Sequence, residues 1–155
     1  MKIIFLKICV IAFSIVSCNK NLTVEEQYAI DKDIIDQYIA DNGLTGEVEV
    51  TSSGLHYVVS SIGTGNFPNA TNNVTVRYTG KFTDNQVFDQ SAETGATFNL
   101  QHVIQGWTEG IPLFKEGGEG ILILPSKLAY GPNGNSSIPP NSVLVFDVEL
   151  LNIVD

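Results

Sequence analysis

The spacing of apolar residues changes twice along this chain, and each change predicts a different kind of element. Between Thr23 and Asn42 the apolar residues recur at helical intervals among acidic ones: Val24, Tyr28, Ile34, Ile35, Tyr38 and Ile39. Thr23 and Glu26 have the spacing of a capping box, and Asn42 with Gly43 is a helix-ending pair. The pattern predicts an N-terminal amphipathic helix. Docking of this helix on its own domain is favoured over a dimerisation arm, and both interpretations stay open.

From Glu47 onward the period becomes two, which is typical of strands. The segment 53–59 predicts a strand on which His56 points outward. The segment 74–79 alternates apolar and polar residues and predicts a half-buried strand with Tyr78 on its inner face.

Two further strands are predicted in the last third of the chain. A continuous apolar run at 121–124 predicts a buried strand that ends at Pro125. The segment 143–151 alternates again, with Asp147 and Glu149 on its polar side.

One short helix signal interrupts the strands, within residues 103–114. Four apolar residues there recur at intervals of three, four and three, and they include the only tryptophan of the chain: Ile104, Trp107, Ile111 and Phe114. Gly117 ends this helix of about three turns, and Pro112 predicts a distorted last turn because its ring removes a donor. Strands around one short helix predict an α+β fold.

Composition and charge narrow the class of protein. A chain of 155 residues with 43% apolar residues suits one domain with short appendages. The formal net charge is −9, and it becomes −11 if a leader containing Lys2 and Lys7 is removed. Such a surface repels phosphates, so nucleic acid is not expected as a partner.

The first residues have the basic start and short apolar run of a secretory signal. The run ends at Ser17-Cys18, which resembles the lipobox of bacterial lipoproteins, in which the cysteine is acylated. The predicted division is a signal peptide at 1–17, a lipidated tether with the amphipathic helix at 18–46, and the main domain at 47–155. An incidental cysteine behind an uncleaved anchor is the alternative.

The chemistry-bearing residues are sparse. Without the leader the body has no thiol except Cys18, and its two histidines, His56 and His102, are interpreted as exposed rather than catalytic. No metal site, cofactor or phosphate-binding loop is predicted. Glu109 is interpreted as a structural carboxylate. What the chain does offer is many aromatic and branched residues beside a few polar ones, which is typical of an apolar binding recess.

Five segments resemble, in the same order, the signature blocks of the FK506-binding-protein family of peptidyl-prolyl isomerases: VTVRYTG at 74–80, VFD at 87–89, VIQGWTEG at 103–110, LAYG at 128–131 and IPPN at 138–141. The resemblance implies a strongly bent antiparallel sheet, or half-barrel, around one short helix. It also implies a pocket between helix and sheet.

Each matching position takes a role from this resemblance. Trp107 would be the floor under the substrate proline, Tyr130 would hydrogen-bond a substrate carbonyl, and Asp89 would place a carboxylate near the rotating amide. Ile138 would line a flap. The remaining positions would form the walls, and Ile104 would also offer its backbone amide: Tyr78, Phe88, Phe98, Val103, Ile104 and Phe146. Core packing is the alternative role for each, weighed about equally for Trp107 and Phe146.

The resemblance implies an isomerase of Xaa-Pro bonds, anchored by lipid in a bacterial cell envelope, facing the periplasm and acting on exported proteins. FK506-like macrolides are possible ligands, although Gln90 replaces a usual serine and no arginine is placed to pair with Asp89. Two other functions stay open. One is a non-catalytic proline-binding chaperone or a component of an envelope machine for secretion or gliding, and the other is a purely structural lipoprotein.

Overall fold

The computed structural model describes residues 22–154. The predicted signal peptide and Cys18 lie outside these residues. Two α-helices lie within this range, α1 (Val24–Asp41) and α2 (Gln105–Gly110). Seven strands are present: β1 (Glu49–Val50), β2 (His56–Ser61), β3 (Asn73–Lys81), β4 (Val87–Gln90), β5 (Ala96–Asn99), β6 (Gly118–Leu124) and β7 (Leu144–Val154).

All seven strands belong to one antiparallel sheet that does not close, in the order β1-β2-β6-β7-β3-β4. Strand β7 runs along one edge of β3, while β4 and β5 share the other edge in succession. Thr79–Lys81 of β3 pairs with β4, and Asn73–Val76 pairs with β5. The chain therefore leaves the sheet between β4 and β5. In this gap Ser91 Oγ accepts a hydrogen bond from the Tyr78 amide at 3.0 Å.

Helix α2 lies on the inner face of the bent sheet, where the larger core has formed. Alternate residues of the long strands point to this face, which is why the period of two in the sequence appears as one buried stripe. The stripe of β7 consists of Leu144, Phe146, Val148 and Leu150, as predicted, and all four are buried. On its other side Asp147 and Glu149 form ion pairs with Lys81 and Arg77 of β3.

Helix α1 packs on the opposite face of the same sheet. Ile35 and Tyr38 contact Ile123, Val143 and Val145, which form a smaller second core. The N-terminal capping box of Thr23 and Glu26 is present, and the helix ends at Asn42 before Gly43, whose φ is +69°. Docking of α1 on its own domain is thus the interpretation that the structure supports.

The short central helix is nearly as predicted. Helix α2 has six residues and continues into a 3₁₀ turn over Ile111–Leu113, which carries Pro112. The tighter turn is the distortion expected of proline, because its missing N–H and bulky ring do not fit a continuing α-helix. Trp107, Ile111 and Phe114 are buried on one side, as their spacing predicted.

Three predictions of exposure or burial were wrong. His56 was predicted to point outward, but it is only 3% exposed, because the outer face of β2 at this point is covered by α1. Val24 and Ile34 were placed in the buried stripe of α1, yet both are exposed. Asp31 instead is fully buried, one helical turn before Ile35 on the docked side of α1.

Neither helix within residues 22–154 combines the length and the apolar character needed to cross a bilayer.

Candidate active site

A cavity of about 390 Å³ opens between α2 and the inner face of the sheet. Strands β3, β4, β5 and β7, the loop before α2, α2 itself and the loop after β6 each contribute to its wall. The lining is mostly aromatic and branched: Tyr78, Phe88, Asp89, Phe98, His102, Val103, Ile104, Trp107, Tyr130 and Phe146. Such a recess favours an apolar ligand with a few polar groups.

The floor of the cavity is Trp107. Three rings surround its indole edge-on: Tyr78 at 5.0 Å between ring centroids, Phe98 at 5.4 Å and Phe146 at 5.4 Å. Perpendicular contacts of this kind hold an aromatic ring in one orientation. Its Nε1 is buried and has no hydrogen-bond acceptor among the residues that the structure describes.

Two glycines allow close packing around the cavity, one in α2 and one between two rings. A Cβ on Gly106 would lie 2.3 Å from Leu124 Cδ2, so α2 can rest this closely on β6 only because position 106 has no side chain. A Cβ on Gly80 would lie 2.8 Å from Phe88 Cζ and 2.9 Å from Phe146 Cε1. Glycine at 106 and 80 therefore allows α2, which carries Trp107, and the wall of Phe88 and Phe146 to lie where they do.

Asp89 lies at the mouth of the cavity, on the exposed edge strand β4. Its Oδ2 accepts a hydrogen bond from the Tyr78 hydroxyl at 2.7 Å, and its Oδ1 accepts from the Gln90 amide at 2.9 Å. Burial and the bond to Asp89 both raise the pKa of Tyr78 well above its ordinary value. Tyr78 is therefore a protonated donor that holds the carboxylate in place.

Tyr130 faces Asp89 from the loop after β6, where it lies between two 3₁₀ turns, Ser126–Leu128 and Gly131–Asn133. The residue is 39% exposed, and its hydroxyl bonds no other residue within 22–154. Burial, and then the charge of Asp89, raise the pKa of Tyr130. The hydroxyl thus remains protonated at neutral pH and can donate to a ligand.

Nine of the ten residues predicted from the resemblance line this cavity. The exception is Ile138, which is 3% exposed and packs in the main core rather than on the cavity wall. Its place follows from the local turn, since the Ile138 amide donates to Asn135 Oδ1 at 2.8 Å.

Sequence reasoning missed His102, which is exposed and forms part of the cavity rim. Its only signal was its position directly before Val103 and Ile104. Glu109 accepts hydrogen bonds from Ser53 Oγ at 2.9 and 2.8 Å, and so has the structural role that was predicted.

The aromatic cavity is distinguished by its chemistry rather than its size. A wider recess of about 540 Å³ lies on the outer face of the sheet, but charged side chains that pair with one another line much of it. Within residues 22–154 no group of three or more histidine, cysteine, aspartate or glutamate side chains is arranged to hold a metal ion.

Comparison with known proteins agrees with this geometry. Residues 64–151 match the family model described as FKBP-type peptidyl-prolyl cis-trans isomerase. A protein of Aeromonas hydrophila named FKBP-type peptidyl-prolyl cis-trans isomerase FkpA is 50% identical over an alignment of 131 residues that covers 79% of this chain and 49% of that protein. The chain thus spans about half the length of the curated relatives it matches.

Two solved structures are similar in fold. A peptidyl-prolyl cis-trans isomerase from Pseudomonas syringae pv. tomato superposes with a TM-score of 0.74 and 30% identity, covering 88% of this chain and 99% of that one. FkpA from Escherichia coli superposes with a TM-score of 0.73 and 40% identity, covering 83% of this chain and 62% of that one.

Proposed function

The chain belongs to the family of FKBP-type peptidyl-prolyl cis-trans isomerases, and we propose that it catalyses the cis-trans rotation of Xaa-Pro bonds in polypeptides. The observation that carries the proposal is the cavity itself, in which an aromatic floor at Trp107 lies beneath a neutral donor and a carboxylate, Tyr130 and Asp89.

Such a cavity suits this reaction because no bond to the enzyme has to form. A planar amide is stabilised by resonance that separates charge, and this charge separation falls as the C–N bond twists. An apolar recess therefore destabilises the planar form relative to the twisted one. The uncatalysed barrier is about 18–20 kcal/mol, so a selective gain of a few kcal/mol accelerates rotation by orders of magnitude.

Each polar group has a role in this scheme. The proline ring rests on Trp107, and the Tyr130 hydroxyl donates to a carbonyl of the bound peptide. The Ile104 amide, which lies on the cavity wall, donates to a second carbonyl. Asp89 places a carboxylate near the rotating amide, and Tyr78 holds that carboxylate in place.

The first test is the rate of cis-trans interconversion of a short peptide with an apolar residue before proline. We expect acceleration by the wild-type protein, about a tenfold or larger loss in kcat/KM for Asp89→Ala, and roughly a 2–10-fold loss for Tyr130→Phe. Tyr57→Phe is a matched control, since it removes a hydroxyl that bonds Glu49 outside the cavity.

Circular dichroism confirms that each variant is folded. If the wild-type protein binds proline peptides and does not accelerate their isomerisation, the enzyme assignment is wrong and the domain is a proline-binding module.

We also propose that the same cavity binds FK506-like macrolides, because its aromatic wall fits a cyclic apolar group. Trp107 is the only tryptophan of the chain and forms the cavity floor, so its fluorescence reports directly on occupancy. We expect FK506 to change this emission and to inhibit isomerisation at the same concentrations. Unchanged emission at saturating macrolide would exclude this ligand class.

For the location, we propose export to a bacterial envelope, with residues 1–17 removed and Cys18 acylated, facing the periplasm. Support comes from the sequence alone, with the predicted division into 18–46 and 47–155. We expect metabolic labelling with a palmitate analogue to be lost in Cys18→Ser, and the protein to move from the membrane to the soluble fraction. Equal labelling of this variant would contradict acylation at Cys18.

A further inference from the structure

The loop that carries Tyr130 is tied to the N-terminal helix by a buried carboxylate. Asp31 of α1 is fully buried, and its Oδ2 accepts two hydrogen bonds from Ser126, one from the amide at 2.7 Å and one from the hydroxyl at 2.6 Å. Its Oδ1 accepts a third from Gln27 Nε2 at 2.7 Å. These donors offset the desolvation of the charge, which would otherwise oppose docking of the helix.

Ser126 begins the 3₁₀ turn that leads directly to Tyr130. The turn is closed by bonds from the Leu128 amide to Pro125 at 2.9 Å and from the Ala129 amide to Ser126 at 3.0 Å. Leu128 is buried in the main core. The segment between Ser126 and Tyr130, four residues later, is therefore held by hydrogen bonds and core packing and contains no flexible linker.

The next turn ties the other side of Tyr130. The Gly134 amide donates to the Tyr130 carbonyl at 3.2 Å, and the Asn141 amide donates to the Gly131 carbonyl at 2.8 Å. Helix α1 contacts the first turn a second time, because Lys127 Nζ lies 3.9 Å from the centroid of the Tyr28 ring. The position of the Tyr130 backbone is thus defined by the first turn, which α1 holds, and by the second.

We propose that Asp31 is a positioning residue for Tyr130, so that α1 is a working part of the isomerase site and not only a tether. This inference rests on the proposed function, since Tyr130 is the donor to the substrate carbonyl there. A hydrogen bond has a short and directional optimum, so the two bonds from Ser126 to Asp31 set the distance between helix and turn more narrowly than an apolar contact.

The test compares Asp31→Ala and Asp31→Asn in the full-length protein. Asp31→Ala removes the oxygen that accepts both hydrogen bonds from Ser126, and we expect roughly a 2–10-fold loss in kcat/KM, no larger than that of Tyr130→Phe. In Asp31→Asn the side-chain oxygen can still accept from Ser126. The new NH2 group faces Gln27, whose side-chain amide can turn so that its oxygen accepts. Asp31→Asn should therefore retain most of the activity. Gln27→Ala is the matched control, because it removes a bond to Asp31 without changing Ser126.

A double-mutant cycle separates positioning from general stability. In a Tyr130→Phe background the donor is already absent, so Asp31→Ala should cause no further loss in kcat/KM. If the two losses multiply, or if folded Asp31→Ala is as active as wild type, the proposal is overturned. Should Asp31→Ala fail to fold, Ser126→Ala takes its place in the cycle, since it removes the hydroxyl bond alone.

If the wild-type protein shows no isomerase activity, the proposed function has failed, but the positioning role of Asp31 can still be tested by NMR. The ring resonances of Tyr130, assigned by their loss in Tyr130→Phe, should then shift in Asp31→Ala and return in Asp31→Asn. Unchanged Tyr130 resonances in folded Asp31→Ala would overturn the positioning role independently of catalysis.

Discussion

The two helices cover opposite faces of one sheet, and the two interfaces are built from different chemistry. On the α2 side, fifteen buried apolar residues and several rings form one continuous core. On the α1 side, five buried apolar residues suffice, together with all three buried polar residues found within 22–154: Asp31, His56 and Ser126. His56 belongs to this side because it pairs directly with Ile123, which contacts α1.

The difference shows how each side contributes to the site. The α2 side supplies an apolar, water-excluding surface, because the faces and edges of aromatic rings pack densely without hydrogen bonds. The α1 side supplies directional bonds, because a buried polar group is stable only when its partners are placed correctly. The cavity belongs to the first side, and the loop of Tyr130 is held from the second.

The largest expected effect comes from truncating one buried isoleucine on each side. Ile111→Ala and Ile35→Ala both remove a fully buried side chain. We expect Ile111→Ala to cost near the upper end of about 2–5 kcal/mol in the free energy of unfolding, because its many neighbours cannot collapse into the void. Ile35→Ala should lie near the lower end. Urea denaturation measures both, and an equal or larger cost for Ile35→Ala would contradict the comparison.

Lowering the pH is expected to have a smaller effect on the free energy of unfolding, through His56 on the α1 side. Burial lowers the pKa of His56 below its ordinary 6.5, against the opposing influence of its bond to the Gly54 carbonyl and of Asp36 on α1; Lys32 lowers it further. Between 6.5 and this lower pKa the unfolded chain binds a proton that the folded chain does not. The free energy of unfolding therefore falls as pH drops below about 6.5, by at most about 1.4 kcal/mol per pH unit.

His56→Asn tests this prediction, because its amide can still donate to Gly54. The difference in stability between the wild-type protein and this variant should change between pH 7 and pH 5.5. If His56→Asn and the wild-type protein lose stability in parallel, His56 does not titrate as inferred.

The smallest effect is expected on the outer surface of α1. Val24 and Ile34 are 62% and 37% exposed, so Val24→Gln and Ile34→Gln should change the free energy of unfolding by no more than about 0.5 kcal/mol. A loss above about 1 kcal/mol that grows with protein concentration would instead mean that this surface meets a second copy of the chain.

Local patterns predicted most of the elements. The helix of Thr23 to Asn42, the strand that Pro125 ends and the distorted turn at Pro112 each depend on contacts or capping groups within a few residues. The same is true of the alternation in β7. Such signals are present in any short window of the sequence, because backbone geometry sets the periods of helix and strand.

The family resemblance went further and indicated nine of the ten residues that line the cavity, seven of them within the ordered blocks and two, Phe98 and Phe146, outside them. It did so because a family resemblance carries tertiary information that periodicity lacks. The blocks gave no signal for His102, which lines the cavity, and Ile138, which they did indicate, lies in the main core.

By itself, then, the sequence determined the type and order of both helices and of four of the seven strands, the aromatic character of the recess and the absence of a thiol other than Cys18 from the body. Only the tertiary structure decided which face of β2 would be covered, and so buried His56. It also joined Asp31 to Ser126 across 95 positions of the chain. The physical reason is that burial and hydrogen-bond partners depend on which distant element covers a residue, and no local period records that choice.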